Sequence, residues 1–189
     1  MYQVASRPRC VLVPIAAASV LLFFTACEVP TSSRMYAGPT FSLTGSGRLA
    51  SFRVYGPSQG RQFATPFDEK SLVWRIQPTQ GYFKGAPVER LEIKYGKIPS
   101  GYAQTVPVAG TAAALHKGTV YWFFAETTGA PGAEGFFYFE GNMATEIAVP
   151  GLCQSGFVGD VKPLKCGTQE PFIEPQDLQL FVKEHRVQR

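Results

Sequence analysis

The sequence predicts an all-β protein, a single antiparallel β-sandwich of about seven to eight strands. Short runs rich in β-branched and aromatic residues follow one another from residue 40 onward, and glycine and proline separate them at intervals typical of a sandwich. No convincing amphipathic helix of useful length interrupts these runs. An immunoglobulin-like arrangement fits the pattern. A small closed barrel is the alternative, because strand number alone does not separate the two architectures.

The first predicted strands alternate between apolar and polar residues, which is the period of a half-buried strand. They cover residues 40–44, 49–55, 71–77 and 89–95. In the third of them, Leu72, Trp74 and Ile76 are predicted to face the core, while the intervening arginine and glutamine face solvent. This alternation favours antiparallel pairing with one face of each strand buried.

Two later predicted strands, residues 119–126 and 135–140, are apolar on both faces. Tyr121, Phe123, Phe137 and Phe139 fall on alternate positions of these strands. One interpretation is that the pair is central in a sheet, packed on one face and partly covered on the other. The other is that these four aromatics are exposed and bind a carbohydrate, a small apolar ligand or a protein partner.

Two shorter segments complete the predicted domain. Residues 144–149 are predicted to form a strand. Residues 177–183 are predicted to form a closing strand with Leu178, Leu180 and Val182 on one side, and a short helix is the alternative there.

The first 26 residues have the composition of a secretory leader. Arg7 and Arg9 precede an apolar run at residues 11–24, which is shorter than the about 20 residues that a membrane-spanning helix needs. The run leads into Phe24-Thr25-Ala26-Cys27, and the leader resembles the signal peptide of a bacterial lipoprotein. Phe24 stands where the lipobox usually has Leu, Val or Ile. The resemblance implies cleavage after residue 26 and acylation of Cys27.

The lipoprotein resemblance implies a cleaved signal peptide at residues 1–26 and a lipidated tether that begins at Cys27. Proline and glycine predict that this tether, residues 27–40, is irregular, and the strand pattern predicts a β-sandwich domain at residues 41–189. The resemblance also implies that the protein lies in the bacterial cell envelope, attached to the membrane by its lipid and exposed to the periplasm or the cell surface. Glu28 stands in place of the Asp that marks inner-membrane retention in some bacteria, which favours the outer membrane. The tether after Cys27 is expected to reach roughly 40 Å when fully extended.

The cysteines agree with export. Cleavage would remove Cys10 and acylation would occupy Cys27, so Cys153 and Cys166 would remain of the four cysteines. In an oxidising compartment we expect these two to form a disulfide that closes a loop of about 14 residues.

Composition and motifs argue against several classes of function. The formal net charge of +4 owes half its value to the two leader arginines, and no basic stripe indicates nucleic-acid binding. The two histidines are isolated and the aspartates are scattered, so neither a metal site nor a cofactor is predicted. No G-x-S-x-G motif or other catalytic constellation occurs.

The sequence therefore predicts a membrane-anchored envelope lipoprotein that acts as a non-enzymatic interaction or structural module. Its expected partner is an envelope protein or the cell wall. A ligand-binding module that uses the sheet aromatics is the second hypothesis, and a hydrolase is the third. The oligomeric state is not predicted.

Overall fold

The structure, a computed structural model, describes residues 29–36, 38–58, 63–64, 66–148 and 177–187. The described strands are β1 (Ser32–Tyr36), β2 (Thr40–Thr44), β3 (Arg48–Tyr55), β4 (Leu72–Pro78), β5 (Leu91–Lys94), β6 (Tyr102–Val106), β7 (Thr119–Thr128), β8 (Ala133–Glu140) and β9 (Met143–Ile147), and one helix, α1 (Leu178–Glu184), follows them. Short 3-10 helices lie at Glu69–Ser71 and Tyr82–Lys84. The leader, Cys27 and the predicted disulfide pair, Cys153 and Cys166, fall outside the described residues.

The strands form two antiparallel sheets that pack face to face. The smaller sheet has the order β1-β2-β5, and the larger has the order β6-β4-β3-β7-β8-β9. The predicted antiparallel β-sandwich is therefore confirmed, and within the described part of the chain the two sheets stay separate rather than closing into one barrel. The seven predicted strands from residue 40 to residue 149 match β2, β3, β4, β5, β7, β8 and β9 to within about two residues at each end.

The core between the sheets is dominated by aromatic rings. Phe41 of β2 contacts Phe52 of β3, Phe123 of β7 and Phe137 of β8, with ring centroids 4.8, 4.9 and 5.6 Å apart. The period-2 alternation brings these rings to the inner faces of their strands, since successive side chains point to opposite sides of a sheet. The rings therefore join the two sheets.

The outer face of the larger sheet is also apolar, because a second cluster covers it. Trp122, Phe124 and Tyr138 on this face pack with Leu178 and Val182 of α1 in one buried cluster. Strand β7 lies between β3 and β8, in the middle of the sheet. Burial on both faces at this central position accounts for the apolar residues on both sides of β7 and β8.

Residues 178–184 are helical, so the closing strand predicted at residues 177–183 was wrong and its helical alternative is the observed one. Leu178, Phe181 and Val182 have the i, i+3, i+4 spacing that places them on one side of a helix. This side packs against the larger sheet, while Leu180 is exposed. A strand would have put Leu180 on the same side as Leu178 and Val182, and the structure separates them.

Two observed strands have no counterpart in the sequence prediction. Strand β6 is a sheet edge on which only Tyr102 is buried. Strand β1 lies within the segment 27–40 that was predicted to be a tether, and it pairs along its whole length with β2. Its inward positions include Ser33, a small polar residue, so its sequence lacks the apolar alternation that marks the other strands.

Among the described residues, no helix is long and apolar enough to cross a membrane.

Candidate functional site

The four aromatics that the sequence offered as a binding face line the interior of the sandwich. Tyr121, Phe123 and Phe137 are each 2% exposed or less, and Phe139 is half-buried against the same cluster. The Tyr121 and Phe137 rings stack with centroids 5.4 Å apart. Since the rings contact one another and the opposite sheet, this geometry supports the core-packing interpretation and not an exposed aromatic face.

Two tyrosine hydroxyls fasten the loop of residues 107–118 to this core. The Tyr121 hydroxyl accepts a hydrogen bond of 2.7 Å from the backbone N–H of His116. The Tyr95 hydroxyl donates one of 2.7 Å to the carbonyl oxygen of Ala113. Burial raises the pKa of both tyrosines, so both hydroxyls are neutral at physiological pH and have a structural role.

The larger sheet and α1 form a groove of about 560 Å³ between them. Its apolar lining comes from Tyr138, Met143, Leu180 and Val182, and its charged lining includes Glu140, Lys183 and Arg186. Met143 and Leu180 are each 57% exposed although they are large and apolar. A concave surface with exposed apolar side chains and a few charged groups at its rim is the kind of surface that binds a partner.

The groove exists because the chain after α1 pairs with strand β9. The backbone N–H of Ala148 donates to the carbonyl oxygen of His185 over 2.8 Å. The backbone N–H of Val187 donates to the backbone carbonyl oxygen of Glu146 over 3.1 Å. These bonds fix the C-terminal end of α1 beside the edge strand. Sequence reasoning missed this site, because the groove requires α1 to be a helix and β9 to be its neighbour.

Positive charge prevails at the helical wall of the groove. Lys183 and Arg186 are exposed there, while Glu140 lies on the sheet side. Burial raises the pKa of Tyr138, the adjacent Glu140 carboxylate raises it further, and a hydrogen bond with Gln179 acts in the opposite direction. The Tyr138 hydroxyl is therefore neutral. The groove suits a segment that has an apolar side chain and a neighbouring acidic group.

Val29, the second residue after Cys27 in the sequence, is hydrogen-bonded to the domain. The Val29 backbone N–H donates to the Ser46 hydroxyl over 2.9 Å, and the Val29 carbonyl oxygen accepts from the Ser46 N–H over 3.0 Å. Two residues later, the Thr31 N–H donates to the carbonyl oxygen of Pro131 over 3.0 Å. These bonds fasten residues 29–31 to the β2–β3 turn and to the β7–β8 loop.

We call this region the proximal end of the sandwich, defined by residues 29–31, 45–47, 79–90 and 129–132. The loop 79–90 belongs to this end because it is hydrogen-bonded to the start of β3. The Leu49 N–H donates to the Ala86 carbonyl oxygen, and the Val88 N–H donates to the Gly47 carbonyl oxygen. The opposite, distal end holds the β1–β2 and β8–β9 turns, where a Cβ on Gly38 would lie 3.8 Å from the Asn142 carbonyl oxygen. Strand β8 joins the two ends over about 25 Å.

A hydrogen-bonded cluster holds the loop 79–90 at the proximal end. The Glu126 carboxylate accepts from the Tyr82 hydroxyl over 2.8 Å through one oxygen and from the Arg53 guanidinium over 2.7 Å through the other. Partial burial, together with this hydrogen bond to Glu126, raises the pKa of Tyr82. Both carboxylate oxygens are occupied, so the cluster positions the loop.

The described residues include no group of three or more His, Cys, Asp or Glu side chains arranged to hold a metal ion. His116 lies before β7. His185 follows α1 and stacks on Phe181 with ring centroids 4.0 Å apart.

The fold and the groove have no match that would assign them to a family. No protein-family model matches the chain, and neither a curated protein nor a solved structure does.

Proposed function

We propose that the protein is a membrane-anchored envelope lipoprotein, held by acyl chains on Cys27, whose β-sandwich contacts another envelope component through the groove between α1 and β9. It is a non-enzymatic interaction module in this proposal. The partner is an envelope protein, or a cell-wall component, that offers an apolar group beside an acidic one.

The attachment of Val29 to Ser46 is the observation that carries the proposal. A lipoprotein needs its cysteine at the surface of the folded domain, so that the acyl chains reach the membrane. Val29 is the second residue after Cys27 in the sequence, it is 56% exposed, and its hydrogen bonds to Ser46 hold it on the domain. This attachment supports the proposal, because it holds the chain at the domain surface two residues after Cys27.

The groove supports the interaction part of the proposal. Met143 and Leu180 leave apolar surface exposed, while Lys183 and Arg186 add positive charge beside it. The aromatic sheet face is the site that the carbohydrate-binding alternative would have used. Its rings fill the core, so no specific observation favours that second function.

The anchor is tested by replacing Cys27 with serine. We expect the parent protein in the membrane fraction and Cys27→Ser in the soluble envelope fraction, because a serine at this position cannot form the thioether to the lipid. Cys10→Ser is the matched control and should leave the distribution unchanged, since Cys10 lies in the predicted leader. A Cys27→Ser protein that stays in the membrane fraction rejects the anchor.

The groove is tested by photo-crosslinking in intact cells. A photoreactive residue at position 180, in the groove, should give a reproducible crosslink to an envelope component. The same residue at position 108, which is 90% exposed and follows β6 at the opposite edge of the larger sheet from β9, should not. Leu180→Glu should weaken the association measured by co-purification. Failure to obtain a crosslink specific to position 180 rejects the groove as the interaction surface.

A further inference from the structure

We infer that the proximal end of the sandwich rests on the lipid surface, with Phe83 entering the headgroup region as a second contact beside the acyl anchor. This inference rests on the proposed acylation of Cys27. It adds which face of the domain meets the membrane and which side chain makes the contact.

The first step is the reach of the chain. From Cys27 to Val29 the backbone spans at most about 7 Å. Val29 is hydrogen-bonded to Ser46, and Thr31 is hydrogen-bonded to Pro131. The thirteen-residue tether expected from the sequence is therefore reduced to the link between Cys27 and Val29. An acylated Cys27 lies at the membrane surface, so the proximal end lies there too.

The second step is the exposed aromatic side chain at the same end. Phe83 is 72% exposed, although a large apolar side chain is ordinarily buried. It lies in the 3-10 helix Tyr82–Lys84, next to Tyr82, whose ring contacts the Phe83 ring with centroids 5.1 Å apart. Lys84, in the same 3-10 helix, and Arg48, which pairs with Pro87 of the same loop, are exposed and supply positive charge at this end.

The third step is that the loop is held firmly in place. The Tyr82 hydroxyl donates to Glu126, and the Leu49 N–H donates to the Ala86 carbonyl oxygen over 2.9 Å. The Gly85 backbone lies so close to β3 that an added Cβ would meet the Leu49 carbonyl oxygen at 1.8 Å. Phe83 is thus presented from a loop that is fastened on both sides, and little ordering is needed for it to make a contact.

Aromatic rings with neighbouring lysine or arginine are the side chains that favour the membrane–water interface. The ring enters the apolar boundary of the headgroups, while the long cationic side chains extend to the lipid phosphates. Because the acyl anchor already holds the domain within a few ångströms, the effective concentration of lipid around Phe83 is high. A contact too weak to bind alone is then sufficient to orient the domain.

This orientation has a consequence for the groove. Glu140 and Met143, which form the last cross-strand pair of the β8–β9 hairpin, line the groove at the distal end. With the proximal end on the membrane, the groove opens on the side that is remote from the lipid. The proposed partner then reaches it without displacing the domain from the surface.

The test uses the full-length protein, purified from membranes with its anchor and reconstituted in phosphatidylethanolamine–phosphatidylglycerol vesicles with brominated or unbrominated acyl chains. Phe83→Trp introduces a reporter at the proximal end. Val108→Trp is the matched control on the exposed loop between β6 and β7, which leads into the distal end of β7, where Thr119 pairs with Phe139. The two native tryptophans, Trp74 and Trp122, are buried and shielded from lipid. Equal melting temperatures of the variants and the parent protein verify that both substitutions leave the fold intact.

Brominated lipid is expected to quench Phe83→Trp by up to about one third of its total emission, since the reporter is one of three tryptophans at the interface depth. Val108→Trp and the parent protein are expected to show equal emission in both kinds of vesicle. If Phe83→Trp stays unquenched while the protein remains bound to the vesicles through Cys27, the inferred contact of Phe83 with lipid is overturned. The proposed acyl anchor is then unaffected. Equal quenching of both reporters also overturns the inference. A protein that does not associate with vesicles at all overturns both the inference and the proposed anchor.

Discussion

Replacing Phe41 with alanine is expected to be among the most destabilising single changes in this domain. Phe41 is fully buried, and it is the residue of the smaller sheet that reaches three aromatic side chains of the larger one. Its ring meets Phe52 and Phe123 in tilted contacts and Phe137 edge-on. This ring is therefore a central contact between the two sheets, and Leu43 and Ile93 of the smaller sheet lie in the same core cluster.

The size of the expected loss of stability follows from the contacts of the Phe41 ring. Truncation of a buried phenylalanine to alanine costs about 3–5 kcal/mol, from lost burial and from the cavity that remains. Aromatic pairs contribute about 0.5–1.5 kcal/mol each beyond their buried area, so the three ring contacts of Phe41 place it near the upper end of that range. We expect the free energy of unfolding to fall by about 4–5 kcal/mol. For a domain of this size that lowers the melting temperature by roughly 8–20 °C.

The assay is urea unfolding monitored by tryptophan fluorescence, together with thermal unfolding monitored by near-ultraviolet circular dichroism. Phe41→Leu keeps most of the buried area but not the ring geometry, and it is expected to cost about 1–2 kcal/mol. Val108→Ala, at a site that is 90% exposed, should change stability by less than about 0.5 kcal/mol. A loss of less than about 1 kcal/mol for Phe41→Ala would refute the packing of the two sheets around this ring.

Two further predictions concern Gly85, in the loop 79–90, and Tyr95. Gly85→Ala should lower the free energy of unfolding by about 2–3 kcal/mol. The added Cβ forces the loop away from the Leu49 carbonyl oxygen and breaks the hydrogen bond from the Leu49 N–H to the Ala86 carbonyl oxygen. An unchanged urea midpoint would contradict this close approach. Burial raises the pKa of Tyr95 in the folded state, so above pH about 10 the unfolded chain releases a proton that the folded protein keeps, and the free energy of unfolding falls as pH rises. Urea unfolding between about pH 8 and pH 11 should show a shallower fall for Tyr95→Phe than for the parent protein, and parallel curves would count against the raised pKa.

The two surfaces of the protein have separate tasks in the proposed arrangement. The proximal end holds the domain against the lipid through the acyl anchor and Phe83, and the groove beside α1 receives the partner on the remote side. Leu180→Glu should weaken partner association without changing lipid quenching of a tryptophan at position 83. The disulfide between Cys153 and Cys166 and the location in the outer membrane stay predictions from the sequence.

The sequence by itself determined the architecture, because the signals for it are local. Alternation at residues 40–44, 49–55 and 71–77 requires a strand with one buried face, and these segments are β2, β3 and β4. Apolar residues on both faces of residues 119–126 favour a central strand that is covered on both sides, and β7 is central in its sheet with a second cluster packed on its outer face. In each case the spacing of the apolar residues reflects which faces of the strand are buried.

Tertiary structure alone decided the features on which the proposals rest. Residues 32–36, Ser-Ser-Arg-Met-Tyr, form a strand because β2 pairs with them, and their sequence has no alternation of apolar and polar residues that would predict it. Residues 177–183 fit either period, and contact with the larger sheet selects the helix, which creates the groove. For the four aromatics of β7 and β8 the sequence left a core position and a binding face as alternatives, and in the structure Phe41 of the other sheet packs against Phe123 and Phe137. These outcomes depend on partners distant in the chain, which a local pattern does not contain.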